Sequence, residues 1–109
     1  MINITLYWEN EFLRGIESRG HSGYAERGGD IVCAAVSSLV QALLLGLDEI
    51  AKVNGLEYEI NSEIPVIKIF WPSKQAESLD LLTRSVALSL KAIANGDGRG
   101  YVNITEVRL

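Results

Sequence analysis

The sequence predicts an α+β protein in which two amphipathic helices pack on one mixed sheet, and three observations carry that prediction. Short segments alternate apolar and polar residues with a period of two. Two longer segments repeat apolar residues at three- and four-residue spacing, and the segments follow one another in the order β-β-α-β-β-α-β. Each helix then has one apolar face to bury, and a single sheet supplies the surface that covers both.

Residues 2–8 open with Ile2, Ile4, Leu6 and Trp8 alternating against Asn3, Thr5 and Tyr7, the pattern of a half-buried strand. Glu9, Asn10 and Glu11 read as a turn. A second strand is expected over 12–19, with Phe12, Arg14, Ile16 and Ser18 on one face and Leu13, Gly15 and Glu17 on the other, although this alternation is weaker. Residues 20–29 hold four glycines in ten positions and are expected to form a loop. Asp30 is expected to cap the helix that follows, its carboxylate accepting from the backbone N–H groups of Val32 and Cys33.

That helix is predicted over 31–53 and is closed by Asn54 and Gly55. At about 100° per residue, Val32, Ala35, Val36, Leu39, Leu43, Leu47 and Ile50 gather into one apolar arc, with Gln41, Asp48 and Lys52 opposite. Cys33, Ser37, Val40 and Leu44 run along one border of the arc, where a side chain can touch both the core and a cleft. Residues 56–60 and 64–71 predict a hairpin around Asn61, Ser62 and Glu63, with Ile67, Ile69 and Trp71 alternating against Val66, Lys68 and Phe70. Pro72 and Ser73 then open the second helix, Ser73 as its cap and Leu79, Leu82, Val86, Leu90 and Ile93 as its apolar stripe. It ends at Asn95 and Gly96, and a loop over 96–100 leads into a last strand over 101–109.

One domain over residues 1–109 is expected, because surface scaling takes such a chain from roughly 17,000 Å² unfolded to about 6,000 Å² folded. The composition, 48% hydrophobic and 22% charged, is that of an ordinary globular protein. No apolar run is read as reaching the roughly 20 residues of a membrane span, since Ser, Gln, Asp or Lys interrupt the longest stretches, and no membrane partner is expected. The first residues show neither a basic segment nor a small-residue cleavage site, so Met1 is the expected mature start. A net charge of -4 and a pI near 4.9 speak against direct binding of nucleic acid. Cys33 and His21 are single residues of their kinds, which leaves no internal disulfide and no structural zinc site and suits a reducing cytosol.

The capping reading puts Cys33 in the first helical turn, where free N–H groups and the helix dipole favour a thiolate. His21, across the glycine-rich stretch, is placed to act as general base and then as the acid that protonates a leaving amine. Backbone N–H groups at the helix start, that of Cys33 included, are the candidate oxyanion donors. A packing role for Cys33 among Val32, Ala34 and Ala35 remains the alternative. Ser37, one turn on, either lines a cleft or bonds back to its own helix. Leu43, Leu44 and Leu45 together exceed one core face and hint at a second apolar contact such as a dimer partner.

Gly20-His21, eight further residues, and the block Asp30-Ile31-Val32-Cys33-Ala34-Ala35-Val36-Ser37 resemble the signature of the ribosomal-processing cysteine protease family, Prp. Chain length and element order are similar too, while outside the signature the likeness is one of pattern and size. The resemblance implies a cytoplasmic bacterial cysteine endopeptidase, without metal or cofactor, that removes the N-terminal extension of a large-subunit ribosomal protein. It also implies a homodimer, a flexible loop over residues 22–29 that gates the site, and a hydrophobic or aromatic residue near the cut. By position, Cys33 corresponds to the nucleophile, His21 to the base, and Asp30 to an acidic partner that orients the histidine or caps the helix. Ser37 and Gly20 correspond to substrate-binding positions, Gly20 leaving room for substrate backbone. The rival readings are a non-catalytic dimeric module that binds a ribosomal protein or peptide, and a redox sensor built on an oxidisable Cys33.

Overall fold

The computed structural model describes residues 1–20 and 27–109, apart from the side chains of residues 27–30. Its elements are β1 (Ile2–Glu9), β2 (Phe12–Arg19), α1 (Arg27–Leu45), β3 (Glu57–Asn61), β4 (Val66–Phe70), α2 (Asp80–Asn95) and β5 (Val102–Arg108). A π-helical turn, Gly46–Ile50, follows α1, and a 3-10 turn, Ser73–Gln75, precedes α2. The order matches the predicted one. The five strands form one sheet in the order β3-β4-β2-β1-β5, in which β1 and β5 run parallel and the other pairs antiparallel.

Both helices cover the same face. Ile4, Leu6, Leu13, Ile16 and Ile69 from the strands meet Val36, Val40, Leu43, Val86 and Leu90 from the helices in one buried cluster. The other face is polar, with Lys68 paired to Glu17 at 3.8 Å, and carries the rings of Tyr7 and Phe70 with centroids 4.9 Å apart.

The weak alternation in β2 has a structural cause. Tyr7 pairs with Gly15 and Trp8 with Leu13, which leaves Arg14 as the extra residue of a bulge. The bulge turns Leu13 and Ile16 to the same side, both wholly buried, where strict alternation assigns them to opposite faces. Arg14 is anchored in turn, its Nε donating to the Trp71 carbonyl at 2.9 Å and its guanidinium meeting Glu9 at 3.1 Å.

The helices depart from their predicted limits. α1 starts at Arg27, so Gly28 and Gly29 are helical and Asp30 lies inside the first turn instead of capping it. Glycine disfavours a helix by roughly 1 kcal/mol, a preference that tertiary packing overrides. The α-helical geometry ends at Leu45 and not at Val53, and the wider π turn carries Ile50 out of the expected arc, leaving it 84% exposed. The buried stripe is Val32, Val36, Val40, Leu43, Leu44 and Leu47, so two of the expected border residues, Val40 and Leu44, belong to the core. By length and composition the stretch Ile31–Ile50 suffices to cross a membrane, contrary to the sequence reading; here one face of it packs on the sheet. Ser73 does not cap α2, because it lies in the 3-10 turn and its hydroxyl donates to Glu9. Among the described residues no side chain caps α2, and Asp80 in its first turn pairs one turn on with Arg84 at 2.7 Å.

Candidate active site

A cleft of about 260 Å³ opens between α1 and the ends of β2, β3 and β4. Its helical wall is Cys33, Ser37 and Gln41, which at four-residue spacing stand on one side of α1 in steps of about 6 Å. Ser18, Ile60, Val66 and Ile67 form the sheet wall, and Gly20, Ile2 and the β3–β4 connection at Asn61, Ser62 and Pro65 complete the rim. Cys33 is half-buried and packs against the core on one side while facing the cleft on the other, as expected of a border residue.

Gly20 ends β2 with a φ of +100°, a conformation that favours glycine, and a Cβ there would lie 2.6 Å from the Met1 carbonyl oxygen. Its N–H donates to the Pro65 carbonyl at 2.9 Å. The backbone therefore demands glycine at this position, a reason separate from any room left for substrate. Gly20 also lines the cleft, and His21 follows it directly in the sequence.

Because α1 starts at Arg27, Cys33 is in the second turn and not the first. Its N–H is committed to the carbonyl four residues back, and only the first four N–H groups of a helix lack such partners. Neither the expected oxyanion role of the Cys33 N–H nor much of the dipole effect, which fades within the first turn, applies at this position. His21, Tyr24, Glu26 and the rest of 21–26 lie outside the described residues, as does the Asp30 side chain. Of the expected loop over 22–29, residues 27–29 are helical.

Sequence reasoning missed part of the cleft. Gln41 was placed opposite the apolar arc, yet it reaches Ser37, its Nε2 donating to Ser37 Oγ at 2.7 Å. The signal was its four-residue spacing from Ser37. Ile60 and Ile67 meet as a cross-strand pair, and a hairpin's register was not legible before the fold. Every residue of β3 is exposed, so Tyr58 and Ile60 stand on the helical side of the sheet where neither helix covers them. A second, shallow depression lined by Glu57, Tyr58, Glu59, Lys68 and Phe70 holds none of the predicted site residues.

The family model for cysteine protease Prp matches residues 1–102. The SMU.848 protein of Streptococcus mutans has a similar crystal structure, with a TM-score of 0.82 at 28% identity over 100% of this chain and 96% of that one. The essential ribosomal processing protease Prp of Staphylococcus aureus, solved with a substrate peptide, gives a TM-score of 0.76 at 17% identity, covering 97% of this chain and 99% of that one. The same protease with a covalently linked product peptide gives 0.75 at 18% identity over the same shares. A search of curated proteins returned no match.

Proposed function

The chain belongs to the cysteine protease Prp family, and from that premise we propose that it removes the N-terminal extension of a bacterial large-subunit ribosomal protein, with Cys33 as nucleophile and His21 as base. The observation that carries this reading is the half-buried Cys33 in the wall of a cleft that Gly20, the residue before His21, also lines. A nucleophile in that position is reachable by an extended peptide and backed by core packing that fixes its rotamer.

His21 accepts the Cys33 proton, and the thiolate sulfur bonds to the scissile carbonyl carbon. The C–N bond then breaks, the leaving amine takes the proton from the imidazole, and an acyl-enzyme remains. Water adds to the thioester carbonyl while His21 takes its proton; the C–S bond breaks, releasing the new carboxyl terminus, and the proton returns to sulfur. With Cys33 in the second turn of α1, thiolate formation rests on the imidazole more than on the helix start. Asp30 is the candidate to orient that imidazole, and Ser37 and Gly20 line the path of the peptide.

The enzyme is read as cytoplasmic and homodimeric. Support for the dimer is an apolar depression lined by Ile50, Leu79, Leu81 and Leu82, in which Ile50 and Leu81 are more than four-fifths exposed. The test of the function is mass spectrometry of the host's extended ribosomal protein after incubation with this enzyme and with Cys33→Ala. Loss of a defined N-terminal segment with the native enzyme alone supports the reading. Binding of the substrate without cleavage by either form favours the non-catalytic module.

A further inference from the structure

We infer that Gln41 is a positioning residue for Ser37, holding its hydroxyl so that the proton is donated into the cleft, to a carbonyl of the bound peptide. The inference rests on the reading of this cleft as the peptide site. Gln41, Ser37 and Cys33 occupy successive turns of one α1 face and line the same cleft. Gln41 Nε2 donates to Ser37 Oγ at 2.7 Å, which engages the hydroxyl oxygen as an acceptor and leaves its single proton to be donated elsewhere.

The serines of α2 behave differently. Ser85 donates to the Leu81 carbonyl, and Ser89 donates to the Ser85 carbonyl at 2.8 Å, each bonding back one turn as a helical serine commonly does. Among the described residues no acceptor takes the Ser37 proton. A hydroxyl that accepts from its own helix and borders a cleft beside the nucleophile is preset as a donor to whatever enters. The sign of the Gln41 bond matters, because a carboxylate at 41 accepts only and would draw the Ser37 proton to itself, away from the cleft.

The experiment is steady-state cleavage of a synthetic peptide spanning the N-terminal extension and cut site of the host's large-subunit ribosomal protein. Gln41→Ala and Gln41→Glu are each expected to raise KM about three- to tenfold, the worth of one hydrogen bond, with the smaller effect on kcat. Ser37→Ala is expected to do the same, and adding Gln41→Ala to it is expected to cost nothing more. A merely structural Gln41 would give the same increment with and without Ser37, and that result, or an unmoved KM in both Gln41 variants, overturns the inference. Absence of Cys33-dependent cleavage by the native enzyme is a different failure: it removes the reading of the cleft, and the Gln41 role with it.

Discussion

Trp71 Nε1 donates to the backbone carbonyl of Leu13 at 2.8 Å, inside the core and across 58 positions of the chain. The bond ties the bulge of β2 to the end of β4, and the Trp71 N–H returns to the Arg14 carbonyl at 3.2 Å. Trp71→Phe removes the donor, strands the buried Leu13 carbonyl and leaves a void. A loss of about 2–4 kcal/mol follows from those two effects together. Urea unfolding of the variant checks it, and a loss within experimental error would show that the bulge holds itself.

Gly20 takes a φ of +100° against the Met1 carbonyl. Gly20→Ala therefore combines backbone strain of about 1–3 kcal/mol with displacement of the first residue of the chain. The expected result is a lower Tm and, because His21 is the next residue, a fall in kcat larger than the change in KM. Unchanged Tm would mean that the β2 terminus yields without cost.

The sheet and the core face of α1 were legible in the sequence because both obey a simple period, as Ile2, Ile4 and Leu6 or Val32, Val36 and Leu43 show. What was not legible depended on partners distant in the chain. The Arg14 bulge is set by Trp71 and Glu9, and the start of α1 at Arg27 overrode the glycines that argued for a loop. In the candidate site, Cys33 and Ser37 are legible from helix periodicity and Gly20 from the family resemblance, and the three meet in one cleft, whereas Ile60 and Ile67 enter it through a register that forms only on folding.

Glu106 ties β5 to α2 and β1 through Lys91 at 2.9 Å and the Trp8 indole at 3.1 Å. The hydrogen bond from Lys91 is the main cause that holds its carboxyl below the ordinary value of 4.5, against a smaller opposing effect of burial. A carboxyl depressed in the folded state binds its proton more readily when unfolded. Its contribution is therefore complete above pH 4.5 and is lost as pH falls through the lower folded value. Glu106→Gln is expected to be slightly less stable than the native protein at pH 7, with the difference shrinking toward pH 3. A difference that persists unchanged at pH 3, read by urea unfolding, contradicts this account.

Leu81 is 85% exposed and lines a shallow apolar depression together with Ile50, Leu79 and Leu82. Leu81→Asp should leave the folded protomer within about 0.5 kcal/mol of native, as exposed substitutions usually do. If this depression is the homodimer face, the charge converts a dimer to a monomer in light scattering. A native protein that is monomeric at the same concentration, or a variant that stays dimeric, excludes this face.

The last expectation concerns how Cys33 is activated, since its place in the second turn of α1 removes most of the help a helix start gives. An ordinary thiol is only about 1% ionised at pH 6.5, so rapid alkylation at that pH requires an adjacent base. Native enzyme is expected to react with iodoacetamide at pH 6.5 at least about tenfold faster than His21→Ala. An unchanged unfolding transition of His21→Ala in urea separates a lost imidazole from a lost fold. Equal rates at pH 6.5 would leave His21 without a part in forming the thiolate, and the dyad would have to be abandoned while Cys33 kept its place in the cleft.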